Sequence, residues 1–99
     1  MSDNYIENLK NVSELLKVLS NEYRLMIVCY LLSSPMTVGE LHSKISNLSQ
    51  SAISQHLSIL KSNKLLDSIK EGQSITYFIQ DERVRSVIEI LKKNYCDNH

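Results

Sequence analysis

The 99-residue sequence predicts a mainly α fold with one small β-hairpin, and three observations carry that prediction. Apolar residues recur at helical spacing through the first two thirds of the chain, as in Ile53, Leu57 and Leu60 at i, i+4 and i+7. The period then falls to two on either side of Glu71-Gly72-Gln73. It returns to helical spacing at Val84, Val87, Ile88, Leu91 and Tyr95.

Ile6, Leu9, Val12, Leu15, Leu16 and Leu19 predict a first helix over residues 5–19. Ser20-Asn21 breaks it, and Asn21 can cap the next helix. Residues 23–32 carry Leu25, Met26, Ile27, Val28, Cys29, Leu31 and Leu32, apolar nearly all round, which predicts a central, buried second helix. Ser33-Ser34-Pro35 ends it. Thr37-Val38-Gly39-Glu40 has the capping-box pattern, so a short helix over 38–45 should come next, with Val38, Leu41 and Ile45 inward. Asn47-Leu48 is a tight connection, and Ser49 caps a fourth helix that begins at Gln50. Beyond Ser62-Asn63, Leu66 and Ile69, then Ile75, Tyr77 and Ile79, alternate with polar residues as the two strands of a hairpin whose turn uses Gly72 at positive φ. Asp81 can cap a last helix over 82–95.

Two helices joined by a turn of a few residues form a helix-turn-helix, whose second helix enters a DNA groove. A hairpin directly after it is a wing. The fold predicted is therefore a winged helix-turn-helix filling residues 1–99 as one domain, since a chain of this length has no room for a second. The first and last helices carry more apolar residues than a domain edge needs. They are expected to pack against their copies in a homodimer, which would set two recognition helices about 34 Å apart.

The fourth helix carries the functional signal. Ser51, Ser54, Gln55 and Ser58 point away from its apolar face, with Gln50, His56 and Lys61 beside them, and it contains no carboxylate. A solvated face normally mixes Glu with Lys. Short donor–acceptor side chains suit base edges in a major groove. Lys70 and Gln73 near the hairpin tip suit phosphates. The net charge is zero, yet between residues 43 and 70 Lys44, Lys61, Lys64 and Lys70 face Asp67 only, which gives a neutral molecule one basic surface.

Composition excludes other classes. At 42% hydrophobic and 22% charged, the chain reads as a soluble globular protein. No apolar run has the length of a membrane span, and the acidic N-terminus lacks a signal-peptide pattern, so the expected compartment is the cytoplasm. There is no phosphate-binding glycine loop and no acid–base or nucleophilic triad, so an enzyme is not expected, nor a cofactor.

Leu48-Ser49-Gln50-Ser51-Ala52-Ile53-Ser54-Gln55-His56-Leu57, with Thr37-Val38-Gly39-Glu40-Leu41 and Leu19-Ser20-Asn21-Glu22-Tyr23-Arg24-Leu25, resembles the ArsR/SmtB family of bacterial winged-helix repressors across almost the whole chain. The resemblance implies a homodimer that binds a palindromic double-stranded operator and leaves it when an inducer arrives. The family's usual inducers are metals. A common thiolate site, Cys-x-Cys at the start of the third helix, reads Thr37 and Gly39 here. Another uses histidine on the final helix, which has none. His42, His56 and His99 lack metal-ligand spacing, so no metal is expected.

The two cysteines point elsewhere. Cys29 could be a small buried hydrophobe. Cys96, in the polar run Tyr95-Cys96-Asp97-Asn98-His99, is less suited to that part. One cysteine in the second helix and one in a Tyr-Cys motif ending the last resembles the persulfide-responsive subgroup of the family. That resemblance implies a dithiol switch joining Cys29 and Cys96 under reactive sulfur species or oxidants. Two other readings stay open: silent cysteines with another inducer, and a winged-helix module that binds protein.

Overall fold

A computed structural model describes residues 2–96. Helix α1 spans Asp3–Leu19, starting earlier than the apolar stripe because Ser2 Oγ accepts the Tyr5 amide at 3.2 Å and secures the first turn. Helix α2 spans Glu22–Ser33, with Asn21 Oδ1 accepting the amides of Tyr23 and Arg24. Ile27, Val28 and Leu31 are buried, but Met26 is exposed and Leu25, Cys29 and Leu32 are half-buried. The expectation of burial all round is thus corrected. A domain this small has too few elements to surround its central helix.

Strand β1 is only Met36–Thr37, too short to leave a period in the sequence. Thr37 then closes the capping box of α3 (Val38–Lys44): its Oγ1 accepts the Glu40 amide at 3.2 Å while its own amide donates to Glu40 Oε1 at 3.0 Å. Helix α4 spans Gln50–Ser62, capped by Ser49 Oγ, which accepts the Ala52 amide at 3.1 Å. It ends in a Schellman motif. The Leu65 amide donates to the Leu60 carbonyl at 3.1 Å and the Lys64 amide to that of Lys61 at 2.9 Å. Lys64 occupies the left-handed position at φ 65° that glycine usually takes.

Strands β2 (Leu66–Glu71) and β3 (Ser74–Ile79) form the hairpin. Glu71 pairs with Ser74, so Gly72 and Gln73 are the whole turn, and Gly72 at φ 62° meets its need for positive φ at the first central residue. β1 pairs with β3, giving the antiparallel order β1-β3-β2. One sequence expectation is corrected in this sheet. Leu66 and Ile69 do not share a face, because three residues along a strand reverse the side. Leu66, opposite Ile79, is fully buried, whereas Ile69, opposite Thr76, is 53% exposed.

Helix α5 spans Arg83–Tyr95. Asp81 sits one residue before the N-cap position and serves the start of the helix through Arg83, accepting its amide at 3.1 Å and its guanidinium at 2.8 and 2.9 Å. The salt bridge holds the Asp81 carboxyl below its ordinary range. Val84 and Ile88 are buried, while Val87, Leu91 and Tyr95 of the expected stripe remain exposed.

The core gathers behind α4. Ile27, Leu41, Ile53, Leu57, Leu60 and Leu66 have no accessible surface, and each such side chain contributes about 1.5–3 kcal/mol. No helix of the described residues is long and apolar enough to cross a membrane.

Candidate nucleic-acid interface

With Ile53, Leu57 and Leu60 turned inward, the helical period leaves a row on the opposite side of α4: Ser51, Gln55, Ser58 and Ser62, all exposed. Gln50, Ser54 and Lys61 form its shoulder, with Ser54 half-buried. Continuing the same spacing to i+11 would have found Ser62, whose hydroxyl donates to the Ile59 carbonyl at 3.0 Å. No acid stands in the first turn of α4, so the positive end of its dipole is uncompensated.

Lys61 lies at the far end of α4 and donates from Nζ to Ser68 Oγ on β2 at 2.8 Å. Lys70 and Gln73 are exposed, at the end of β2 and in the turn. Lys44 lies over the ring of Tyr30, 6.0 Å from its centroid.

His56 stands apart from the row. It is half-buried, its ring centroid 6.2 Å from that of Tyr23, and Arg24 Nη1 donates to its Nδ1 at 3.5 Å. Burial, and then the Arg24 charge, push its pKa below the ordinary 6.5. No local pattern in the sequence signals this pairing, which joins residues far apart in the chain.

The cysteines lie on α2 and at the C-terminal cap of α5, Cys29 half-buried and Cys96 exposed. Burial pushes the Cys29 thiol above its ordinary 9.0; the Lys92 ammonium pulls it down, and Cys96 pushes it up. Both α5 groups therefore lie within electrostatic reach of Cys29. Lys92 and Cys96 are stacked one helical turn apart, with the Cys96 amide donating to the Lys92 carbonyl at 2.8 Å. Arg85, on the same helix, donates from Nη1 to the Leu32 carbonyl of α2 at 2.9 Å. Among the described residues, no group of His, Cys, Asp and Glu is arranged to hold a metal ion. His99 lies outside the described residues.

Residues 21–68 match the family described as bacterial regulatory protein, arsR family. The chain is 45% identical over 82 residues to the transcriptional activator HlyU of Vibrio cholerae serotype O1, covering 83% of this chain and 75% of that protein. Its structure superposes on reduced HlyU from Vibrio cholerae N16961 with a TM-score of 0.87 at 40% identity, over 97% of this chain and 100% of that one. The transcriptional repressor BigR from Xylella fastidiosa gives a TM-score of 0.86 at 28% identity, over 99% and 100% of the two chains. A homodimeric winged helix-turn-helix DNA-binding domain from Mycobacterium bovis gives 0.76 at 25% identity, over 100% and 94%. With the outward polar row of α4, the hairpin beside it and these relatives taken together, the chain belongs to the ArsR family and is a DNA-binding transcriptional regulator of winged helix-turn-helix fold, not an enzyme.

Proposed function

We propose that this regulator acts in the cytoplasm as one winged-helix domain over residues 1–99, binds a palindromic operator as a homodimer, and releases it when reactive sulfur species or oxidants join Cys29 to Cys96. Gln50, Ser51, Ser54, Gln55 and Ser58 read base edges. Lys61, Lys70 and Gln73 hold phosphates. His56 holds its place behind the reading row.

The homodimer reading is supported by what the outer helices leave uncovered. Ile6, Leu9, Val12 and Leu16 on α1 and Val87, Ile90 and Leu91 on α5 are exposed. A groove of about 1000 Å³ runs between these helices, lined by Val12, Leu15, Leu16, Leu65 and Val87. A second copy removes this apolar surface from water. The Mycobacterium bovis relative is homodimeric.

The observation that carries the switch is the environment of Cys29. Its thiol sits on α2 under the influence of Lys92 and Cys96 of α5, the helix that also lends an apolar face to the dimer. A persulfide RSSH supplies a balanced route. The Cys96 thiolate takes the outer sulfur and RS⁻ leaves. The Cys29 thiolate then attacks the Cys96 sulfur and HS⁻ leaves, so two thiols are oxidised and RSSH becomes RSH and H₂S. Peroxide achieves the same oxidation with water as product. A link between α2 and α5 shifts the dimer helix and with it the spacing of the two α4 copies. A full swing from bound to free needs about 5.5 kcal/mol. Losing part of a specificity margin of about 4–10 kcal/mol is enough.

The test is mass spectrometry of the protein after polysulfide or peroxide, paired with the DNA affinity of each product. A bridged species of lowered affinity is expected, with Cys29→Ser and Cys96→Ser binding DNA but no longer released. A single-cysteine variant still released by polysulfide overturns the switch.

A further inference from the structure

The first turn of α2 touches three other parts of the molecule. Asn21 Oδ1 accepts the amides of Tyr23 and Arg24 at 3.0 and 3.1 Å, which fixes where these two side chains leave the helix. Arg24 Nε donates to the Val18 carbonyl in the last turn of α1 at 2.6 Å. Its Nη1 reaches His56 Nδ1 on α4 at 3.5 Å. The Tyr23 hydroxyl accepts from Asn47 Nδ2, in the turn between α3 and α4, at 3.1 Å, and its ring lies tilted at 31° to that of His56.

A guanidinium can only donate, so His56 Nδ1 is the accepting atom of this contact, the arrangement a neutral ring with its proton on Nε2 provides. The groups that face His56 are Arg24 and Tyr23 of α2. α1 contributes a backbone carbonyl to Arg24, and the α3–α4 turn contributes a neutral amide to Tyr23. Protonation would set a second cation against the guanidinium.

We propose that Arg24 and neutral His56 are a positioning pair: Arg24 carries the placement of α1 to α4, and His56, next to Gln55, sets the rotation of α4 about its own axis. It rests on the reading of α4 as the helix that enters the groove. Neither residue need touch DNA. The pair gives operator preference a pH dependence that begins as pH falls below the ordinary histidine value of 6.5, because burial and the Arg24 charge hold the folded ring neutral to lower pH.

The test uses the full chain and two labelled duplexes, one selected by the wild-type protein from a randomised pool and one of random sequence. Preference is the ratio of their affinities, read by anisotropy from pH 7.5 to pH 5.5. The wild type is expected to lose part of its preference over that range, by less than about tenfold because the folded ring titrates below 6.5. His56→Asn, which keeps an acceptor at the Nδ1 position and cannot titrate, should bind as wild type at pH 7.5 and show a flat profile. Arg24→Lys, which keeps the charge and loses the fork, should lose preference at every pH while remaining folded by circular dichroism at the assay temperature. A flat wild-type profile, or Arg24→Lys with full preference, overturns the pair. Gln55→Ala separates the two readings: full preference in that variant overturns the α4 reading, whereas lost preference there beside an indifferent Arg24→Lys overturns the pair alone.

Discussion

Lys61 Nζ donates to Ser68 Oγ at 2.8 Å, so the last turn of α4 is tied to the first strand of the wing. An ammonium has three donors and can hold Ser68 and a phosphate together. Lys61→Gln is expected to weaken binding to every duplex alike and to lower the slope of log affinity against log salt by about one. Ser68→Ala should leave that slope unchanged, since the charge remains. Titrations over a series of potassium chloride concentrations measure both.

Gln55 lies in the middle of the exposed row of α4. Its amide can donate and accept against one base, a contact worth about 1–3 kcal/mol of discrimination. Gln55→Ala should therefore bind selected and random duplexes with nearly equal affinity while sedimenting as the wild type does. Undiminished discrimination refutes its role.

The Cys29 thiol stands above its ordinary value because it is half-buried, and Lys92 opposes that rise. The thiolate is the nucleophile, so closure of the sulfur bridge should quicken as pH rises toward and past 9.0. Lys92→Gln removes the opposing charge and should slow closure at neutral pH, with the whole rate profile displaced to higher pH. Quenched-reaction mass spectrometry of the bridged product follows the rate. A profile that Lys92→Gln leaves in place removes the ammonium from the chemistry.

Lys64 holds a left-handed conformation at φ 65° in the Schellman motif that ends α4. A side chain there costs about 1–2 kcal/mol that glycine does not incur, offset in part by the freedom glycine gains on unfolding. Lys64→Gly is expected to stabilise the fold by about 0.5–1 kcal/mol, or a few degrees of thermal midpoint. A lowered midpoint would assign Lys64 a stabilising contact that outweighs its strain.

Features with a local cause are legible in the sequence. Asn21, Thr37 and Ser49 cap the helices their positions predict, because a cap bonds within its own first turn. The inward faces of α3 and α4 and the Gly72 turn come from period and from the need for positive φ. Ties across distance are not legible. Arg24 to His56, Lys61 to Ser68 and Arg85 to Leu32 join residues whose nearness depends on the finished fold. Ile69 lies on the unexpected face of the wing because a step of three from Leu66 breaks the alternation. β1 leaves no trace because two residues have no period. His56 shares its stretch with the exposed polar row of α4, although one step along a helix turns a side chain by about 100°.

The closed joint between α4 and the wing has a consequence for how such regulators diverge. Leu65 is bonded back to Leu60 and Ser68 to Lys61, so the hairpin leaves α4 at a set angle. Its length is the dimension left to vary. Two residues added to each strand keep every side chain on its own face and carry the tip about 6.8 Å further. Measured along the DNA helix axis, that is about two base-pair steps of 3.4 Å each. Insertion at Gly72-Gln73 can thus lengthen the wing without disturbing the exposed polar row of α4.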